Sequence, residues 1–150
     1  MDLNNPWQFA IFFIVLWCSI SLLLSWIGGW AELARAYRAP GPFSGIKLYL
    51  RDGVTRFGTS YGRCLTVGAN SEGLYLAIVF LFRVGHPPLF IPWRDISIRP
   101  TRFFFVRYYE FEIRQAPSVR VRLRKRTGEE VKEAAGSAWA GDRGIAGAAF

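Results

Sequence analysis

The sequence is poor in the residues that most enzyme chemistry needs. Among 150 residues there is one histidine, His86, and there are two cysteines, Cys18 and Cys64. That inventory rules out a disulfide framework and most metal sites. No glycine-rich loop lies between a strand and a helix, so residues 58–62 (GTSYG) read as a turn and not as a phosphate cradle. Ser60 has no base in an adjacent motif, and a nucleophilic triad needs convergent partners. Cys64 falls in an apolar strand, where a thiol behaves as a small hydrophobe. Glu110 and Glu112 share one face of a strand, and pairing with nearby arginines is the commoner use of such carboxylates. No catalytic residue, metal site or cofactor is expected. Charge is also missing where it matters most: between Asp2 and Glu32 the only ionisable side chain is the Cys18 thiol.

What is present divides the chain in two. Residues 7–28 (WQFAIFFIVLWCSISLLLSWIG) form one apolar run of 22 residues. As an α-helix it is about 33 Å long, enough for a hydrocarbon core of about 30 Å. Asn5 is placed to cap it, with Pro6 at the first helical position, where a missing N–H is harmless. Trp7 marks one interface, and Trp26 and Trp30 the other. No Lys or Arg precedes the run and no convincing small-residue cleavage site follows it, so residues 1–30 read as an uncleaved transmembrane anchor. Arg35, Arg38, Lys47 and Arg51 follow it, which places the N-terminus outside the cell's inner (plasma) membrane and the C-terminal domain in the cytoplasm. Ser21, Ser25 and Gly29 recur every fourth residue and form a small-residue face suited to helix self-association, hence to a homo-oligomer. The alternative is that the serines bond back to their own helix.

The remainder is basic: 19 Lys and Arg against 11 Asp and Glu give a net charge of +8. Residues 31–44 read as a short amphipathic helix along the interface (Trp30, Leu33, Ala34, Tyr37) and a proline-rich linker. From Ile46 the apolar period becomes two, the mark of half-buried strands. Strands are predicted at 46–51, 54–57, 64–67, 74–82, 89–98, 103–114 and 119–123, with a hairpin turn at Asp52-Gly53. The aromatic residues of 103–114 are assigned to the core. A capping box at Thr127-Gly-Glu-Glu130 opens an amphipathic helix carrying Val131, Ala134, Ala135, Ala138 and Trp139. Residues 141–150 are expected to form a flexible tail.

Gly73-Leu74-Tyr75 opening an apolar strand, followed by Leu89-Phe-Ile-Pro-Trp-Arg-Asp-Ile96, resembles the pattern of bacterial pleckstrin-homology-like (PH-like) domains. The arrangement also resembles small single-pass bacterial membrane proteins that carry such a domain. The resemblance covers roughly residues 45–140. It implies one N-terminal transmembrane α-helix followed by a mainly-β PH-like barrel of about seven antiparallel strands, closed by the C-terminal helix. It implies no catalytic residues. Trp93, after a proline, reads as a packing residue at a strand bend.

Arg120, Arg122 and Arg124 alternate along one strand face, and Lys125 and Arg126 extend them. Near a membrane such a cluster attracts anionic lipid headgroups or an acidic membrane protein. A solvated face paired with Glu110 and Glu112 is the plainer reading. Nucleic acid is not an expected partner, because the aromatics that would interleave a phosphate-binding face are assigned to the core. The function expected is that of a non-catalytic, membrane-tethered interaction or scaffold module. The alternative is an accessory subunit of a membrane complex that acts through its transmembrane helix.

Overall fold

A computed structural model describes residues 5–55, 60–79 and 83–139. The chain opens with α1 (Pro6–Ile27). The Asn5 side chain accepts from Trp7 N at 3.2 Å, and Pro6 occupies the first helical position. α1 is long and apolar enough to cross a membrane. A turn at Gly28-Gly29 leads into α2 (Trp30–Tyr37). Gly29 has a φ of +83°, in the left-handed region, and a Cβ there would stand 2.5 Å from Val119 Cγ2. Only glycine combines that bend with that closeness.

Seven antiparallel strands follow: β1 (Ile46–Val54), β2 (Ser60–Ala69), β3 (Gly73–Ile78), β4 (Leu89–Pro92), β5 (Ile96–Phe103), β6 (Val106–Ile113) and β7 (Ala116–Arg124). They form one sheet in the order β4-β3-β2-β1-β7-β6-β5. α3 (Lys125–Ala135) and a short 3-10 turn (Gly136–Ala138) close the described chain. The expected strand number and final helix are present, but the sheet is open, with β4 and β5 as its edges. Along β7, Val119, Val121 and Leu123 are buried while Arg120 and Arg124 are exposed, as period-two alternation requires. β3 is buried at every position. Its second face is covered by the proline-rich segment after α2, where Phe43 stacks on Tyr75 with ring centroids 4.7 Å apart. That covering explains why the run reads apolar at both parities.

α2 departs from expectation. Its apolar face is turned into the domain. Trp30, Leu33 and Tyr37 are buried in the main core, and α2 packs on β4 and β7. The Trp30 indole donates to Pro87 O at 2.9 Å, and the Tyr37 hydroxyl donates to Asp95 Oδ2 at 3.1 Å. With its apolar face inward, α2 is part of the domain and not a linker to it.

Other expectations shift. Asp52-Gly53 is not a turn: β1 runs through it, and Gly53 pairs on both sides, with Tyr61 of β2 and Leu123 of β7. The local irregularity appears instead as register shifts along Leu48, Arg51 and Gly53. The stretch read as strand 89–98 bends through a 3-10 turn at Trp93–Asp95. Trp93 is buried, its indole donating to Asn70 O at 2.7 Å. Thr127 and Gly128 lie inside α3, whose start has no side-chain cap, so the capping box is absent. Trp139 packs edge-on against Trp93, Tyr109 and Phe111. The tail at 141–150, residues 80–82 of the apolar run, and Gly58 and Thr59 of the expected turn lie outside the described residues.

Candidate functional site

The five predicted basic residues divide by neighbourhood. Arg120 Nη1 lies 3.2 Å from the buried Glu110 Oε1, and Arg124 Nε lies 3.4 Å from Asp52 Oδ2. Arg126 Nε reaches Glu130 Oε1 at 3.8 Å, and Arg51 holds both oxygens of the same carboxylate at 3.0 and 3.1 Å. Arg122 lies in register with Glu110 across the β6–β7 ladder, and Arg99 pairs with Glu112 at 3.6 Å. Much of the basic strand is therefore internally neutralised. Lys125 and Arg126 sit where β7 becomes α3, bordering an open depression with Phe105, Arg107, Glu129 and Glu130.

That depression leads to a feature the sequence reading missed. β5 and β6 form a hairpin in which Phe103 pairs with Val106, leaving Phe104-Phe105 as the two-residue turn. Phe103, Phe104 and Phe105 are 57%, 79% and 97% exposed. Two-residue hairpin turns favour Gly, Asn or Asp, because they require positive φ. Phe104 has a φ of +54°. A bulky residue there costs on the order of 1–2 kcal/mol. Just behind the turn, Arg102 and Arg107 oppose each other directly across the ladder. Like charges in that relation are destabilising. Three exposed aromatics thus stand on a turn with two local penalties. Period-two reading placed these phenylalanines in the core, since an aromatic strand normally is core. The only sequence signal was the unbroken Phe-Phe-Phe run, which alternation cannot bury on one face.

The tip is beside the start of α3 and at the opposite end of the β6–β7 ladder from α2. Gln115 N in the β6–β7 turn donates to the Tyr37 hydroxyl at 3.1 Å, and Ser118 Oγ donates to the Glu32 carboxylate at 3.2 Å. From that turn, the 8 residues of β6 lead to the tip. At about 3.4 Å per residue they put the tip about 25 Å away.

The small-residue face of α1 has a different neighbour from the one expected. Ser21 and Ser25 are buried, and the Ser25 hydroxyl donates to Gly85 O. Gly29 abuts Val119. The close approach these residues permit is to the chain's own β3–β4 loop and β7. His86 is buried, with Nδ1 3.1 Å from Val84 O and its ring tilted against Trp30. Burial pushes the Cys64 thiol up, away from reactive thiolate. Among the described residues, no group of three or more His, Cys, Asp or Glu side chains is placed to hold a metal. A hollow of about 370 Å³ is lined by Pro40, Pro42, Phe43, Tyr75 and Phe90, with Glu72 as its one charged group.

No protein-family model matches the chain, and neither does any curated protein or solved structure.

Proposed function

We propose that this chain is a non-catalytic, membrane-anchored interaction module whose working surface is the β5–β6 tip and the basic residues around it. α1 spans the inner membrane, and the sheet domain, PH-like in plan, lies on the cytoplasmic side. The strand count, the β1–β7 pairing and the single C-terminal helix support the PH-like reading. The basic flank of α1 supports the orientation.

One observation carries the proposal: three exposed phenylalanines on a strained turn, flanked by Arg102, Arg107 and Lys125. Exposed aromatic and arginine side chains are the residues that dominate protein-binding hot spots. The partner fitted to them is a protein with an apolar pocket rimmed by carboxylates. Lipid headgroups are the weaker occupant, because the tip is remote from the end of the sheet that packs on α2 and Arg120, Arg124 and Arg126 already face acids. The reading of the chain as a subunit acting through its helix face also loses support, since Ser21 and Ser25 are covered from within.

Photocrosslinking in intact membranes tests the proposal. A photoreactive residue at position 105 of the full chain is expected to give a discrete protein adduct that one at exposed Glu133 does not. Phe104→Gly should remove the adduct while leaving folding stability unchanged or raised by about 1 kcal/mol, because it relieves the backbone strain. An adduct to lipid alone would transfer the site to headgroup binding. No adduct at position 105 would overturn it.

A further inference from the structure

The C-terminal turns of α1 are joined to the β3–β4 loop. A Cβ on Gly85 would stand 2.8 Å from Leu22 Cδ2 and 3.4 Å from both Leu22 Cα and Ser25 Cβ. Gly85 also has a φ of +75°, so the loop approaches the helix through a residue no other type replaces without strain. The contact lies at the level of Leu22 to Ser25.

Length then sets its depth. Residues 6–20 of α1 precede the covered face, and these 15 residues rise about 22 Å. A hydrocarbon core of about 30 Å needs about five residues more. It therefore extends over Ser21 to Ser25. The other sides of the same turns agree, with Leu22, Leu23 and Trp26 exposed by 52%, 52% and 66%.

Non-helical backbone survives at that depth only if its polar groups are satisfied within the protein. The carbonyls of Arg83, Val84 and Gly85 and the N–H of His86 meet this condition. Arg83 O accepts from His86 N at 3.0 Å, and Val84 O lies 3.1 Å from His86 Nδ1. Gly85 O accepts from the Ser25 hydroxyl, Pro87 O from the Trp30 indole, and Pro88 O from Ala39 N. Pro87 and Pro88 have no N–H to satisfy.

We infer that residues 83–86 are a membrane-seated loop: they lie beside α1 in the inner-leaflet boundary of the bilayer that α1 spans. Val84, 41% exposed, supplies apolar contact with acyl chains. Arg83 is exposed, and its stem is long enough to return the guanidinium to lipid phosphate. The domain is thereby seated on lipid as well as tied to it. This rests on the reading of α1 as a spanning helix.

Fluorescence depth measurement separates the two claims. In a Cys18→Ala/Cys64→Ala background, the full chain carries one environment-sensitive label at Ile14→Cys, Val84→Cys or Glu133→Cys. Each protein is reconstituted in phosphatidylcholine–phosphatidylglycerol vesicles. A label on Val84→Cys should be quenched by nitroxide-bearing acyl chains, as one on Ile14→Cys is, and be several-fold less open to aqueous iodide than one on Glu133→Cys. If the Ile14→Cys label is lipid-quenched but the Val84→Cys label is as open to iodide as the Glu133→Cys label, the loop lies in water and the inference fails while the anchor stands. If the Ile14→Cys label is itself open to iodide, α1 is not inserted and both fail.

Discussion

At the scale of single residues, Tyr37 fastens the helical hairpin to the sheet. Its hydroxyl donates to Asp95 Oδ2 and accepts from Gln115 N, each at 3.1 Å. Tyr37→Phe leaves a buried carboxylate and a backbone N–H each one partner short, and should cost about 1–3 kcal/mol at neutral pH. The phenol is also titratable. Burial pushes its pKa above the ordinary 10.0, and the Asp95 carboxylate adds to the rise. A group raised on folding stabilises fully below its unfolded value, and that contribution is lost as pH climbs through the folded one. Thermal unfolding of the full chain in detergent should therefore show the wild type losing stability above about pH 10 more steeply than Tyr37→Phe. Equal slopes would mean that the hydroxyl does not stay protonated in the folded state. Phe104 is the opposite kind of residue, a locally unfavourable one kept at an exposed turn. Strain of that kind marks a site of function when the surrounding fold does not need it.

At the scale of elements, α1 was legible because its signal is local: an uncharged run of the right length with a cap and tryptophans at its ends. The period of α2 was equally plain from Trp30, Leu33 and Tyr37, but periodicity gives a face and not its partner. Its apolar stripe is buried by β4 and β7, which lie far along the chain. The strand count agreed with the sequence reading because errors cancelled: the expected breaks at Asp52-Gly53 and at residues 99–102 are extended strand, while unexpected ones fall at Trp93–Asp95 and Phe104-Phe105. Asp52-Gly53 has turn chemistry but is held extended by pairing on both sides, whereas Phe104-Phe105 has none and turns. The first is tertiary pairing overriding a local preference. The second is the proposed site, which carries none of the turn residues that would mark it in the sequence. The basic strand was correctly placed on an outer face, but its ion pairs required knowledge of which strands are neighbours. One consequence is testable. A fragment beginning at Gly45 lacks Trp30, Leu33 and Tyr37, all buried, and should not fold on its own. In the full chain, Leu33→Ala should cost about 2–5 kcal/mol, the range for emptying a buried leucine site. Cooperative unfolding of the fragment, with dispersed amide resonances, would show instead that the sheet and α3 suffice and that α2 is an accessory.

At the scale of the whole molecule, the joint between α1 and the sheet domain decides how the proposed tip is presented. A flexible linker would let the domain sample a hemisphere, and its partner would meet the tip at any height above the bilayer. The structure gives little room for that. Gly29 abuts Val119, Ser25 bonds to the β3–β4 loop, and Glu32 accepts from Ser118, so α1 and α2 are held by two separate parts of the chain, β7 and the β3–β4 loop. The sheet then carries the tip about 25 Å from the turn that packs on α2. Such a device presents one surface at one distance and in one orientation. On the proposed reading of α1 and the tip, a partner would have to reach that position, which favours another membrane-associated protein over a freely diffusing one. Electron–electron distance measurement on the full chain in nanodiscs checks the rigidity. With Cys18 and Cys64 replaced by alanine, spin labels on Leu23→Cys and Glu133→Cys should give a single narrow distribution, and Gly29→Val should broaden it. That side chain collides with Val119 and cannot easily hold a φ of +83°. A broad wild-type distribution would make Gly28-Gly29 a hinge, and the fixed height of the tip would have to be abandoned.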